Sequence, residues 1–114
     1  MAEKFRTVEI YKNYFTDFLT GLPQPAKDKV YWTIGLIETV PRVSERYLKK
    51  LEGTDGLFEV RIEFGGNIYR IFCFFDEGKL VILLNGFVKK TQKTPRREIE
   101  RALRLRQQYY EEKS

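Results

Sequence analysis

The sequence contains no histidine and only one cysteine among its 114 residues. It therefore has no imidazole to serve as a general base, as the partner of a catalytic serine, or as a metal ligand. A single cysteine also excludes an intrachain disulfide and a multi-cysteine zinc site. No apolar run approaches the ~18 residues of a membrane-spanning helix, and no signal-peptide pattern opens the chain. We expect a soluble, cytoplasmic protein that needs neither a metal nor a cofactor.

The composition is that of a folded protein, with 42% hydrophobic and 15% aromatic residues. The length predicts a single domain spanning residues 1–114. The formal net charge is +5, and the excess is local: eight basic residues lie between Lys89 and Arg106, against two acidic ones. Such a patch suits a phosphate backbone, an acidic protein or an anionic membrane, and charge alone does not choose among them.

Three stretches rich in aromatic and β-branched residues form the centre of the sequence, at residues 57–64, 67–75 and 80–88. Gly65-Gly66 separates the first two, and a segment containing Gly78 separates the last two. This pattern predicts a three-stranded antiparallel meander. Because strand side chains alternate, Cys73 falls on the core face and is expected to be a buried, inert thiol.

A two-residue turn at Gly65-Gly66 would place Arg61 directly opposite Arg70. Like charges opposed on a sheet are unfavourable, so this pair suggests an anion site. A second two-residue turn, at Glu77-Gly78, would bring Asn85 opposite Arg70, with Phe87 beside it. A bulge in either hairpin would change this register.

Two interpretations of this face remain open at the level of sequence. Glu59 and Glu63 flank Arg61 on the same face, so they could simply neutralise the arginine pair. Phe87 could stack on a nucleobase, or it could pack under the last helix.

The remaining segments predict an α+β domain in the order β-α-α-β-β-β-α. A short strand is expected at residues 5–11, and a helix follows Asn13 with apolar residues at helical spacing. A second helix runs from Pro25 to about Thr39. Residues 41–56 form a connector with a possible helical turn at 47–53. Thr94-Pro95 predicts the N-cap and first residue of a final helix.

Several of these motifs resemble those of RelE/HigB-type toxins, and most closely their phage-derived host-killing subgroup. The motifs are Gly-Leu-Phe-Glu-Val-Arg at 56–61, Tyr-Arg-Ile at 69–71, and Leu-Leu-Asn-Gly-Phe-Val-Lys-Lys-Thr-Gln-Lys-Thr-Pro at 83–95. The similarity spans residues 5–110. It implies a microbial RNase-type fold and a toxin that cleaves mRNA in the ribosomal A site. It also implies a cognate antitoxin, in this subgroup often a helix-turn-helix protein.

The resemblance also implies roles for individual residues. Arg61 and Arg70 match the family's active-site arginines, and the family's basic tail corresponds to Lys89, Lys90 and Lys93. Asn85 stands where members often carry histidine, and its carboxamide cannot transfer a proton near neutral pH.

The chemistry of RNA cleavage fits such a site, because RNA supplies its own nucleophile, the 2′-hydroxyl. Guanidinium groups bind phosphate in bidentate fashion and can stabilise the charge of a phosphorane. A lysine whose pKa is lowered by neighbouring cations could act as the base, and the sequence does not rank the four candidates: Lys49, Lys50, Lys89 and Lys90. Glu59 is an alternative base. Further contacts to RNA are expected from Lys49, Lys50, Asn85, Phe87, Lys93, Arg96 and Arg97.

Two other functions remain possible from the sequence. One is an RNA- or ribosome-binding module that keeps the fold without the chemistry, which the missing histidine favours. The other is a DNA-binding protein, supported only by the basic last helix, which has no companion helix joined by a short turn.

Overall fold

The computed structural model describes residues 4–113, which form five strands and three helices. In chain order these are β1 (Thr7–Ile10), α1 (Tyr14–Thr20), α2 (Gln24–Thr39), β2 (Leu48–Lys50), β3 (Leu57–Phe64), β4 (Asn67–Asp76), β5 (Leu80–Lys89) and α3 (Arg96–Lys113). The predicted α+β class is confirmed, with one strand more than expected. Within residues 4–113, none of the helices is both long and apolar enough to cross a membrane.

The strands form one mixed sheet in the order β1-β5-β4-β3-β2. The β1 strand runs parallel to β5, and every other pair of neighbours is antiparallel. The two faces of the sheet are covered by different helices. The face that packs against α1 and α2 is buried by residues such as Phe15, Val30 and Ile71, whereas α3 covers the opposite face through Ala102 and Leu105.

The hairpin between β3 and β4 has the register that the sequence predicted. Val60 pairs with Ile71, and Arg61 lies opposite Arg70. Both turn glycines have positive φ angles, 60° at Gly65 and 80° at Gly66, which is the left-handed geometry that a type I′ turn requires. Since only glycine adopts this conformation without strain, the dipeptide fixes the register of the whole hairpin.

The predicted register between β4 and β5 is wrong, because Arg70 faces Phe87 and not Asn85. Two features cause the shift. The connecting turn contains three residues, 77–79, between the paired Asp76 and Leu80. In addition, the pairing slips between Ile71 and Cys73, so two residues of β5 oppose one residue of β4, which defines a β-bulge.

The predicted connector at residues 41–56 contains a strand and not a helical turn. Leu48–Lys50 pairs antiparallel with β3, and Lys49 lies opposite Glu59. Three residues are too few for the alternation of apolar and polar side chains to stand out in a sequence. This short edge strand brings a lysine onto the face that carries the arginines.

Cys73 is fully buried on the face that packs against α1 and α2, as predicted. Burial without a compensating charge raises the pKa of its thiol well above the usual range. The thiol is therefore protonated and unreactive at neutral pH.

The last helix begins one residue later than predicted. The carbonyl of Pro95 accepts hydrogen bonds from the amides of Glu98 and Ile99, so Pro95 and not Thr94 precedes the first helical residue. The far end of α3 is anchored at the turn between β4 and β5. There, buried Asp76 accepts hydrogen bonds from Tyr109 (2.6 Å) and Lys113 (2.8 Å).

Gly86 lies directly after the bulge, where α1 approaches β5 closely. A Cβ atom at this position would lie 2.5–2.8 Å from atoms of the Phe18 ring. The absence of a side chain at Gly86 therefore allows α1 to pack against the strand that carries Phe87 and Lys89.

We expect Gly86→Ala to lower the free energy of unfolding by about 1–3 kcal/mol, because the Phe18 ring must move to admit the methyl group. Gly35→Ala is the matched control, since an added Cβ in this α2 position has no atom within 4 Å. That control should raise the stability by about 0.5–1 kcal/mol through helix propensity. Urea denaturation midpoints measure both effects, and equal stability of the two variants would contradict the packing argument.

Candidate active site

Five charged side chains meet on the α3 side of the sheet, beyond the end of its apolar cluster. The strand registers place Lys49 opposite Glu59, and Arg61 opposite Arg70. Lys89 pairs with a β4 residue two positions before Arg70, and therefore lies on the same face. We call these five residues, Lys49, Glu59, Arg61, Arg70 and Lys89, the arginine site.

Glu59 lies between the two arginines and is itself buried, with 3% of its surface exposed. Its Oε1 atom is 3.8 Å from Nε of Arg61 and 3.6 Å from Nε of Arg70. Its second oxygen, Oε2, accepts a hydrogen bond of 3.1 Å from the hydroxyl of Thr94. One carboxylate thus offsets the repulsion between two guanidinium groups and connects them to the segment that precedes α3.

The two arginines differ in their accessibility. Arg70 is 2% exposed, whereas 27% of the Arg61 side chain is exposed. Burial lowers the pKa of Arg70, and the nearby charge of Arg61 lowers it further, so the folded protein disfavours the charged form. Arginine nevertheless stays protonated at any physiological pH.

The arginine site has unused capacity for hydrogen bonds. Nε of Arg61 and Nε of Arg70 are both buried, and neither has an acceptor within hydrogen-bond distance among residues 4–113. Each arginine also donates to a backbone carbonyl, Arg61 to that of Glu45 and Arg70 to that of Tyr69. The site as a whole contains four cations and one carboxylate, and this excess of positive charge favours an anionic ligand.

Lys89 has the electrostatic character of a lysine that can exchange a proton. Partial burial lowers its pKa, and the positive charge of Arg70 lowers it further, against the opposing effect of Glu59. Arg61 and Lys49 act in the same direction as Arg70. We therefore select Lys89 from the candidate bases, because its pKa is lowered from that of an ordinary lysine.

A family profile described as "Phage derived protein Gp49-like (DUF891)" matches residues 17–107, most of the chain. The chain belongs to the Gp49-like family. This family assignment confirms the resemblance to phage-derived RelE-type proteins that the sequence motifs indicated.

The fold of this Gp49-like protein also resembles that of a solved structure. A chain from the crystal structure of the archaeal RelE–RelB complex of Pyrococcus horikoshii OT3 superposes with a TM-score of 0.54. The sequence identity is 24%, and the match covers 78% of this chain and 98% of that one. Similarity at this level establishes a RelE-like fold. No curated protein sequence gives a significant match.

Two residues predicted for RNA binding lie away from solvent in this Gp49-like protein. Phe87 is 8% exposed and stacks on Phe72 at 5.5 Å, within the cluster under α3. This placement favours packing over base stacking. Asn85 is also buried, and within the described chain neither polar atom of its side chain has a hydrogen-bond partner. It borders a pocket with Gly86 and Arg101, displaced from Arg70 by the bulge.

The other basic residues predicted as RNA contacts or bases lie on different parts of the protein. Lys50 pairs with Phe58 and therefore projects toward the opposite face from Lys49. The rest are exposed at the end of β5 or at the start of α3: Lys90, Lys93, Arg96 and Arg97. Arg96 makes a long ion pair of 4.0 Å with Glu100. Within residues 4–113, no group of three or more acidic or cysteine side chains could hold a metal ion.

The hydrogen bond between Thr94 and Glu59 has no signal in the sequence. The local pattern at Thr94 indicates helix capping, and a contact across 35 residues leaves no local pattern of its own. The sequence named Lys49 as a candidate, but it did not predict the strand β2, which places this lysine opposite Glu59. Both contacts follow from the sheet bringing distant segments together.

We expect Glu59→Gln and Arg70→Leu to change stability in opposite directions. Glu59→Gln leaves two buried guanidiniums without their counter-charge and should destabilise the fold by about 2 kcal/mol. Arg70→Leu removes a repulsion and a desolvated charge, so its stability should be equal to or slightly above that of the wild type.

Sulfate provides the internal control for this pair of variants. As a ligand of the folded state it should raise the denaturant midpoint of the wild type, raise that of Glu59→Gln more, and raise that of Arg70→Leu less. Midpoints with and without sulfate measure this. Strong destabilisation by Arg70→Leu, together with a wild type that is indifferent to sulfate, would make the arginines ordinary ion-pair partners of Glu59.

Proposed function

We propose that this Gp49-like protein is an endoribonuclease toxin that cleaves translated mRNA on the ribosome. The observation that carries the proposal is the arginine site, in which two guanidiniums share one buried carboxylate beside a lysine of lowered pKa. Such a site combines stabilisation of anionic charge with a group that can accept a proton. The RelE-like fold supports the proposal.

In the proposed reaction the 2′-hydroxyl oxygen of one nucleotide attacks the adjacent phosphorus. The neutral amine of Lys89 accepts the hydroxyl proton as the new P–O bond forms. The bond from phosphorus to the 5′-oxygen then breaks, and a protonated neighbour such as Lys49 or Lys90 donates a proton to that oxygen. The products are a 2′,3′-cyclic phosphate and a 5′-hydroxyl end.

The two arginines have different tasks in this mechanism. The partly exposed Arg61 contacts the phosphate, while the buried Arg70 contributes positive charge from beneath the surface, where solvent screens it weakly. Donors aimed at a developing oxyanion typically lower a barrier by about 3–4 kcal/mol. Because cationic side chains supply this stabilisation and RNA supplies the nucleophile, the mechanism needs no metal ion.

We propose three partners for the chain. The mRNA is the substrate, and the ribosomal A site orients it for in-line attack. This orientation is important because the site has no histidine to act as a base. Action on the ribosome places the protein in the cytoplasm. The third partner is a cognate antitoxin, suggested by the RelE–RelB complex in which the structural neighbour was solved. The sequence subgroup favours a helix-turn-helix antitoxin.

A non-catalytic RNA- or ribosome-binding module of the same fold is the second candidate function. It is favoured by the buried Asn85, which stands where RelE/HigB-type toxins often carry histidine. Experiments that separate binding from cleavage distinguish the two functions.

Expression without an antitoxin should arrest growth and produce cuts inside translated coding regions. Arg70→Leu, which is expected to fold normally, should abolish both effects. Mapping of mRNA 5′ ends after induction provides the measurement. Growth arrest without new mRNA ends would favour the non-catalytic module, and cleavage of naked RNA as efficient as that of ribosome-bound mRNA would contradict ribosome dependence.

Lys89→Arg should separate proton transfer from binding, since it keeps the charge but cannot supply a neutral amine. We expect the single-turnover cleavage rate on ribosomes to fall about 10²–10⁴-fold with little change in affinity. The wild-type rate should rise with pH and level off below the ~10.4 of an ordinary lysine, because the pKa of Lys89 is lowered. Lys93→Arg, in the exposed loop, is the control and should keep the wild-type profile. Equal rates for Lys89→Arg and the wild type would remove Lys89 as the base.

A further inference from the structure

A cluster of aromatic and cationic side chains lies next to Arg61, at the edge of the sheet where α2 meets the start of β2. The rings of Trp32 and Tyr47 contact each other edge to face, with centroids 5.6 Å apart. Each ring has a cation over it: Lys29 lies 4.3 Å from the Trp32 centroid, and Arg46 lies 5.6 Å from the Tyr47 centroid. We call these four residues the aromatic–cation surface.

Trp32 and Arg46 of this surface are exposed, whereas Lys29 and Tyr47 are partly buried. Trp32 is 49% exposed and its neighbour Tyr31 is 57% exposed, although large aromatic side chains are usually mostly buried. They lie on the outer side of α2, whose inner side packs in the core through Val30 and Ile37. Packing in the monomer does not account for the exposed position of these rings.

The aromatic–cation surface is continuous with the arginine site. The backbone amide of Arg61 donates to the carbonyl of Tyr47 at 2.8 Å. One shallow cleft is lined jointly by residues of both: Lys29, Arg46, Tyr47, Arg61 and Glu63. Three of these five side chains are cationic and one is acidic, so the cleft carries net positive charge.

We propose that the aromatic–cation surface binds the single-stranded RNA that flanks the phosphate held at the arginine site. The inference rests on the proposed function for its ligand, but not on the cleavage step. Cations interleaved with exposed rings are the combination by which proteins hold single strands, since the cations contact phosphates and the rings stack on bases of any sequence. The position beside Arg61 favours RNA over a protein ligand, because a strand bound at Arg61 must leave the site across a neighbouring surface.

The chain offers a direct probe, because Trp32 is its only tryptophan. We expect a short single-stranded RNA, methylated at its 2′-hydroxyls to prevent cleavage, to quench the fluorescence of the purified protein as it binds. Binding measured independently by anisotropy of a labelled strand should give the same dissociation constant. Unchanged tryptophan fluorescence at a strand concentration that saturates the anisotropy would overturn the proposal.

Two sets of substitutions separate the contribution of base stacking to RNA affinity from the contribution of charge. Trp32→Leu should weaken strand binding by about 5- to 100-fold, corresponding to the loss of one base stack, whereas Trp32→Tyr should retain most of the affinity. The double variant with Lys29→Ala and Arg46→Ala should reduce the slope of log affinity against log salt by about 0.7 for each phosphate that is no longer bound.

Lys79→Ala is the matched control for the removal of a cation over a ring. Lys79 lies 4.0 Å from the ring centroid of Phe5, in the turn at the opposite end of β4 from Arg70. This control should leave the affinity and the salt slope unchanged. If Trp32→Leu binds the strand as tightly as the wild type, the exposed rings serve another purpose and the proposal fails.

The outcomes also separate this inference from the proposed function. Variants that cleave mRNA on ribosomes and bind RNA normally would reject the aromatic–cation surface and leave the endoribonuclease intact. Loss of strand binding in these variants, with no cleavage by the wild type, would instead support an RNA-binding module.

Discussion

The arginine site depends on the single carboxylate of Glu59. Two guanidiniums side by side on a sheet repel each other, and their burial removes the water that would screen them. Glu59 offsets part of this cost from between them, at distances of 3.6 and 3.8 Å, and it also accepts the hydroxyl of Thr94. One negative charge cannot satisfy two arginines and the neighbouring Lys89 and Lys49. The site therefore keeps an excess of positive charge. Burial lowers the pKa values of Arg70 and Lys89, and the neighbouring cations lower both further.

Local chemistry explains which parts of the fold the sequence predicted. Gly65-Gly66 determined the register of β3 against β4, because two consecutive positive φ angles permit few turns. The predicted register of β4 against β5 was wrong for two reasons. The turn is one residue longer than expected, and a bulge lies opposite Phe72. The local signal of this bulge was Asn85-Gly86, which interrupts the apolar run of β5, because a glycine inside a strand often marks a bulge. The β2 strand was missed because it is only three residues long and is defined by its partner.

The residues of the candidate site likewise divide into those whose positions the sequence predicted and those whose positions it did not. The opposition of Arg61 and Arg70 was predictable, being contained in one hairpin. The contributions of Lys49, Lys89 and Thr94 required β2, β5 and the loop before α3 to be assembled around that hairpin. The bulge displaced Asn85 from its predicted place opposite Arg70 and put Phe87 there, with its ring stacked on Phe72. The packed structure also shows that Trp32 of α2 lies outside the core beside a cationic edge, which the sequence did not predict.

The parallel pairing of β1 with β5 has a consequence for the synthesis of the chain. Thr7 pairs with Leu80, so β1 has no partner until β2, β3 and β4 and then β5 itself have been translated. The local hairpin of β3 and β4 can close early, but α1 also packs mainly on β5 and must wait with β1. Lys89 and Thr94 emerge later still. The arginine site of a nascent chain therefore stays incomplete until the ribosome has passed Lys89 and Thr94.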